Sequence, residues 1–224
     1  MYNWDFLSLI NVLPLLQKGL EVTVFVSFVC GFFAFLIALV VAYIRGLDSI
    51  LIKKIVSWYI EITRNIPLLI QLYIVYKLLP HVGLHFAPIT CGIITLSIYT
   101  AAYIAEVLRS GLRTLAYNQN QAAYALGLSY FDTFFLISFP QAIRIVIPAL
   151  ISQFINLIKN SSLVSFIAVV DVFYVIYKGA CDDFRIYEYF IVGAAIYMML
   201  TWFVAFVGFL LEKSLKIRGR EVSV

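Results

Sequence analysis

The chain has 224 residues, of which 63% are hydrophobic and only 12% charged, with a mean hydropathy of +0.99 and a net charge of +4. A soluble domain of this size has too much surface for its volume to hide that much apolar material. The composition is that of an all-α polytopic membrane protein, and the ~10-residue alternating segments of a spanning β-barrel do not occur.

The first ten residues carry Asp5 and no Lys or Arg, so no basic leader of a secretory signal is visible. Trp4, Phe6, Leu7, Leu9, Ile10 and Leu13 either lie at a membrane interface or form an ordered lead-in to the first span. Five transmembrane helices are expected, at roughly 20–44, 57–79, 88–110, 143–171 and 189–211, within a single transmembrane domain over 1–224. Val22–Ile44 and Tyr189–Leu211 are each 23 residues without a charge. At the helical rise each is about 34 Å long, enough to cross a hydrocarbon core of about 30 Å.

The second span carries Glu61, Arg64 and Lys77, and Pro67 predicts a kink or break at Asn65-Ile66-Pro67. Pro88 opens the third span, and Glu106 and Arg109 close it. Pro148 and Lys159 interrupt the fourth. Cys30, Cys91 and Cys181 have no metal-ligand or redox spacing, and His81 and His85 flank a Pro/Gly-containing turn with no third ligand near. No metal site is expected.

Orientation follows from the basic residues. With the N-terminus outside, the inner segments hold Arg45, Lys53, Lys54, Arg109, Arg113, Arg144, Lys213, Lys216, Arg218 and Arg220. The outer segments hold only Lys18, Lys77, Lys178 and Arg185. The C-terminus and the insert at about 112–140 are therefore expected in the cytoplasm. The net charge is accounted for by these inner residues, so nucleic acid is not an expected partner.

Within the insert, Asn118 or Asn120 is positioned to cap a helix that contains Gln121–Leu126, and Gly127 stands where a C-terminal glycine would end it. Ser129 with Asp132 resembles a capping box for a second helix, Tyr130–Ile137, made bulky by Phe131, Phe134 and Phe135. Pro140 then precedes the fourth span. Small residues on the first helix suit close docking of another surface, and a loop packed under its own bundle is the competing reading.

Gln121-Ala122-Ala123, Gly127 and Phe139-Pro140-Gln141-Ala142 together resemble the EAA loop of bacterial ABC importer permeases. Three further stretches are similar to the polar amino acid subfamily, the glutamine/glutamate/histidine/arginine type. They are Glu61–Tyr73, then Tyr103-Ile104-Ala105-Glu106 with Arg109-Ser110-Gly111, and Lys159–Leu163 (KNSSL). The similarity runs from about residue 18 to about 215. It implies a multi-pass subunit of the bacterial inner membrane whose insert couples, through Gln121, Ala122, Ala123 and Gly127, to a cleft on a separate ABC ATPase. It also implies an extracytoplasmic amino acid-binding protein. Import rather than export rests on this resemblance alone. Three positions depart from the pattern: Gln121 replaces a glutamate, Asn118 a glycine, and Asn160 an aspartate that the family often carries. A neutral Gln121 loses charge attraction to a basic groove.

Ionisable groups within a span face a bundle interior or an aqueous cavity. Glu61 and Arg64, three apart, share a helix face and either pair or line a solute site beside a broken helix. Ser152, Asn156, Lys159 and Asn160 form one polar stripe, bordered by Gln153 and followed by Ser161 and Ser162. Such a stripe is either helix glue or the lining of a path. Lys159 is expected near mid-span. The candidate solute-binding residues are Glu61, Arg64, Asn156, Lys159, Asn160, Ser161 and Ser162. With Asn160 neutral and two basic residues among them, an acidic or neutral polar amino acid is favoured over a cationic one.

No Gly-rich phosphate loop is present, so the chain is not expected to be an enzyme or to hold a cofactor, and ATP is expected on a partner subunit. One five-span chain is too small to enclose a pathway with two gates, which implies a second permease subunit, identical or paralogous. The competing class is a gradient-driven secondary transporter with Glu61 or Glu106 as proton carrier, although no inverted repeat is apparent. A purely structural membrane subunit is the third class.

Overall fold

The computed structural model describes residues 4–115 and 117–215. The side chains of Leu7 and of Asn118, one of the two expected caps, lie outside what is described, as do Lys216, Arg218 and Arg220. Every regular element among the described residues is a helix, with no strand among them.

A 3-10 turn, Leu7–Val12, leads into α1 (Leu13–Arg45). Trp4, Phe6, Ile10 and Leu13 are exposed while Leu9 is buried, so this segment is an ordered lead-in with an apolar outer side. The backbone amide of Asp5 donates to Glu188 at 3.2 Å, and Asp5 also pairs with Arg185 at 3.2 Å. The lead-in is thereby tied to the start of the last helix. α1 begins earlier than expected, because Lys18 and Glu21 lie in the first turns and leave the uncharged run intact.

The second span is two helices. α2 (Ile50–Asn65) ends at Ile66, whose backbone is extended (φ −96°, ψ 130°), and α3 (Leu68–Leu78) begins after Pro67. The residue before proline is forced out of the helical region by the proline ring. Two carbonyls freed by the break are satisfied by one side chain: Gln71 Nε2 donates to Thr63 O at 2.7 Å and to Ile66 O at 2.8 Å. The freed groups need such a partner where no water is available.

α4 (Pro88–Arg113) is the central helix, with 61% of its most apolar stretch buried. It packs along α1 through small residues, Ala34, Ala38 and Ala42 against Ala101 and Ala105, all 6% exposed or less. Small side chains let the two backbones approach closely, which is how membrane helices gain dispersion energy without a hydrophobic driving force.

α5 (Tyr117–Ala125) is the first helix of the insert. A short α6 (Tyr130–Asp132) then runs without interruption through a π turn, Thr133–Ser138, into α7 (Phe139–Ser161). The expected boundary at Pro140 is therefore absent: the second insert helix and the fourth span are one rod. Pro140 has no N–H for the carbonyl one turn back, and the chain widens to π geometry just ahead of it. Where the hydrogen-bond ladder changes register, the Gln141 side chain donates from Nε2 to a neighbouring carbonyl, Ile137 O, at 3.0 Å. After α7 a 3-10 stretch, Ser162–Ile167, ends at Ala168 with φ +63°. α8 (Val172–Asp182) occupies part of the expected loop, and α9 (Ile186–Leu215) closes the chain. α9 is peripheral, with only 6% of its apolar stretch buried.

Four helical rods are long and apolar enough to span a membrane, and the broken α2–α3 pair supplies a fifth, interrupted segment. Three apolar clusters stack along the bundle. One contains Val41, Leu108, Phe134 and Val146 at the end that carries Arg45 and Arg109. A middle cluster contains Val26, Leu72, Leu96 and Leu157, and one at the opposite end contains Leu16, Val172 and Tyr189.

Candidate functional site

On α2, Glu61, Arg64 and Asn65 are exposed, while Val56, Ile60 and Thr63 form the buried side. Among the described residues Glu61 and Arg64 make no ion pair. The Arg64 guanidinium instead lies 5.1 Å from the centre of the Tyr103 ring on α4, a cation–π geometry. Tyr103 is itself within 3.1 Å of Tyr99, hydroxyl to hydroxyl.

On α7, Ser152, Asn156 and Lys159 are exposed and Asn160 is half-buried. Leu150, Leu157, Ile158 and Ser161 point the other way and are buried. The helical period explains the separation: the polar residues fall within about 100° of arc, opposite the buried set. The stripe thus faces away from its own bundle. Lys159, expected near mid-span, stands in the last turn of α7, where a cation is favoured by the helix dipole, and the rod continues beyond it as the 3-10 stretch Ser162–Ile167. Ser161 and Ser162 turn their hydroxyls onto the backbone, donating to Ile158 O at 2.8 Å and Lys159 O at 2.7 Å. No hydrogen bond or ion pair among the described residues joins the α2 residues to the α7 stripe, although the α3 that follows Pro67 meets the end of the rod, with Tyr73 donating to Phe166 O at 3.1 Å.

The insert ends its first helix as its residues predict. Gly127 has φ +81°, Leu128 N donates to Ala123 O at 3.1 Å, and Gly127 N donates to Tyr124 O at 3.0 Å. That pair of bonds is the Schellman termination, which needs a left-handed residue. Ser129 Oγ then accepts from Asp132 N at 3.2 Å and donates to Asp132 Oδ2 at 2.6 Å. Asn120 is no cap: it lies inside α5 and accepts from Ser138 Oγ at 2.9 Å. Gln121, Ala122 and Gly127 are exposed, Ala123 is buried, and Leu126 at the turn is 82% exposed. An apolar tip of this kind offers a contact surface.

Two features escaped the sequence reading. The first is an ion cluster: Arg45 pairs with Glu106, Arg109 Nε donates to the other carboxylate oxygen at 3.1 Å, and Arg45 Nη2 reaches Ser57 Oγ at 3.4 Å. Arg45 is 61 positions from Glu106, so only the closeness of α1 and α4 reveals the pair. The second is Asp171, 1% exposed at the start of α8. Its Oδ1 accepts from Tyr174 N at 2.8 Å and its Oδ2 from the Tyr197 hydroxyl at 3.3 Å, while Val172 N donates to Thr23 Oγ1 at 3.2 Å. Burial pushes its carboxyl up to about 6, against the lowering effect of these bonds. The sequence signal was an acidic residue directly before an apolar helical run, the pattern of an N-cap.

An apolar groove of about 600 Å³ between α1, α7 and α9 is walled by residues such as Phe28, Phe32, Phe154 and Phe203. It offers no counter-charge for an amino acid. A smaller polar cavity of about 250 Å³ lies where the insert meets α1 and α4.

Several long apolar helices around a small-residue seam, one broken at a proline, with a polar stripe turned out of the bundle, define a transport subunit of the permease class. Residues 34–217 match the family described as the binding-protein-dependent transport system inner membrane component, and the chain belongs to that family. It is an inner-membrane multi-pass transport component rather than an enzyme. It is 35% identical over 189 residues to the probable glutamine ABC transporter permease protein GlnM of Bacillus subtilis (strain 168), covering 79% of this chain and 88% of that one. It is 29% identical over 215 residues to the arginine transport system permease protein ArtQ of the same organism, covering 96% and 98%. A solved structure described as an amino acid ABC transporter with histidines superposes with a TM-score of 0.85 at 32% identity, covering 95% of this chain and all of that one. The MetNI methionine ABC transporter in an inward-facing form shares the fold, with a TM-score of 0.80 at 20% identity.

Proposed function

We propose that this chain is the membrane subunit of an ATP-driven importer that moves a polar amino acid into the cytoplasm, with ATP bound and hydrolysed on a separate ATPase subunit. The observation that carries the reading is the stripe of Ser152, Asn156, Lys159 and Asn160, which leaves its own bundle on a membrane-spanning rod. Lipid is a poor solvent for such groups. A second permease subunit facing this stripe across an aqueous path would cover it, and two copies about a two-fold axis would supply both walls.

In this arrangement the α7 stripe and the exposed Glu61 and Arg64 beside the Pro67 break face the solute. The amides of Asn156 and Asn160 hydrogen-bond it, the Ser162 hydroxyl, which donates to Lys159 O, can only accept from it, and Lys159 and Arg64 supply positive charge, while the buried Ser161 takes no part. The sign of that lining, with Asn160 neutral, favours an acidic or neutral side chain. Similar proteins bear names for both glutamine and arginine transport, so the sign of the lining is the stronger guide. The N-terminus lies outside and the insert and C-terminus lie in the cytoplasm. There the exposed Gln121, Ala122, Gly127 and Leu126 meet the ATPase, and an extracytoplasmic binding protein delivers the solute to the opposite face.

A gradient-driven mechanism would need Glu61 or Glu106 to carry a proton. Glu106 has a guanidinium on each carboxylate oxygen, which leaves neither free for that traffic.

The test is reconstitution with a partner ABC ATPase and an amino acid-binding protein, followed by uptake of labelled glutamine, glutamate, aspartate, arginine, lysine and histidine with and without ATP. Uptake that requires ATP and prefers the first three supports the proposal. Uptake without ATPase or ATP, driven by an imposed proton gradient, overturns it.

A further inference from the structure

We infer that the last turn of α1 is the joint through which the insert acts on α1 and on α2, which carries Glu61 and Arg64, with Tyr43 and Arg45 as its positioning residues. The inference rests on the proposed coupling role of the insert and names the residues that transmit it. The insert is covalently continuous with α4 and α7 but not with α1, so any pull on α1 and on the α2 that follows it must travel through side-chain contacts.

Tyr43 takes the insert side. Its ring centre lies 5.2 Å from Tyr130, 6.0 Å from Phe131, 5.2 Å from Phe134 and 5.7 Å from Phe135. Its carbonyl accepts a hydrogen bond from the Tyr130 hydroxyl at 2.8 Å. Gly46 lies against that hydroxyl, and a Cβ at this position would overlap it. Residue 46 must therefore lack a side chain for Tyr130 to dock.

Arg45 takes the other side. Successive helix positions two apart point about 200° apart, so Arg45 leaves α1 away from the aromatic cluster. It reaches Glu106 of α4 and Ser57 of α2, and Arg109 shares the same carboxylate. One helical turn thus holds the insert with its ring face and two other helices with its guanidinium. Close-packed rings and a shared carboxylate do not stretch; they move together or separate.

The joint has room for a second arrangement. The 250 Å³ cavity lies against Gly46, Leu112, Tyr124, Tyr130 and Thr133. The Thr133 hydroxyl is buried there, with no hydrogen-bond partner among the described residues. Thr133 also opens the π turn, a geometry that departs from the close-packed helix and recurs where helices adjust. A shift of α6 into this space would reorient Tyr130, in the way packed elements switch between discrete states.

The experiment measures ATP hydrolysis and uptake together in proteoliposomes that hold the full complex. Tyr43→Leu removes the ring face, Tyr43→Phe keeps it, and Arg45→Gln releases α2 and α4. We expect Tyr43→Leu and Arg45→Gln to co-purify with the ATPase and to keep at least half of the hydrolysis. Their uptake per ATP should fall about tenfold, within the range of ordinary coupling free energies. Tyr43→Phe should stay within about twofold of wild type.

An unchanged uptake per ATP in Tyr43→Leu overturns the inference. So does a parallel fall of uptake and hydrolysis in a fully assembled complex, which would mark Tyr43 as a mere packing residue. If Tyr43→Leu fails to assemble, Arg45→Gln alone decides: a wild-type ratio there sinks the joint. The coupling reading itself is judged in the wild-type arm, where uptake independent of ATP would remove it before any variant is compared.

Discussion

Replacing Asp171 by Asn tests the buried acid at the start of α8. Its carboxyl sits at about 6 in the folded chain, about two units above a free aspartate. Between about pH 4 and 6 the folded state holds a proton that the unfolded state has released. Stability contributed by this group is therefore present in full below about pH 4 and is lost as pH rises through about 6. Two units correspond to about 3 kcal/mol, an upper figure for a group only 1% exposed. Asn keeps an oxygen for Tyr174 N and offers an amide to the Tyr197 oxygen, but it carries no charge to bury.

The variant should accordingly gain on wild type as pH rises, by up to about 3 kcal/mol at pH 8. For a chain of this size that is roughly 6–12 °C in apparent Tm. The assay is detergent-solubilised thermal unfolding of both proteins at pH 4, 5, 6, 7 and 8. The quantity read is the difference in Tm between them, so other titrating groups cancel. A difference that stays flat from pH 4 to 8, or that favours wild type more at high pH, refutes the argument.

Gly127→Val should strain the turn by about 1–2 kcal/mol through its positive φ, although a Cβ there meets no other part of the fold within 4 Å. Uptake should fall while Tm of the bundle barely changes, and Gly127→Asn, which tolerates this backbone region, should retain more uptake. Gln71→Leu leaves Thr63 O and Ile66 O without their donor and should destabilise the α2–α3 break by about 1–3 kcal/mol, read as a lower apparent Tm. Asn160→Asp should move competition for uptake toward arginine and lysine and away from glutamate; an unchanged preference would remove Asn160 from the solute path.

Pro67 and the preceding Asn65-Ile66 announced the break in the second span, because a missing N–H and a ring clash act locally whatever surrounds them. Gly127 and Ser129 announced the turn in the insert for the same reason. Pro140 misled: it suggested a boundary, but a helix can absorb one proline by widening to a π turn just ahead of it. The end of α7 was not legible either, because an apolar run does not reveal that its regular helix stops at Ser161 and continues as a 3-10 stretch to Ile167.

Sequence alone determined the class, the number of apolar segments, the polar stripe on α7 and the family, because each depends on composition, period or short-range backbone chemistry. Only the tertiary structure decided which way the stripe faces, that Arg64 stacks on Tyr103 instead of pairing with Glu61, and that Arg45 meets Glu106. Those outcomes depend on how α1, α2, α4 and α7 rotate about their axes as their small residues interlock. That rotation is a property of the packed bundle, set by contacts between positions far apart in the chain.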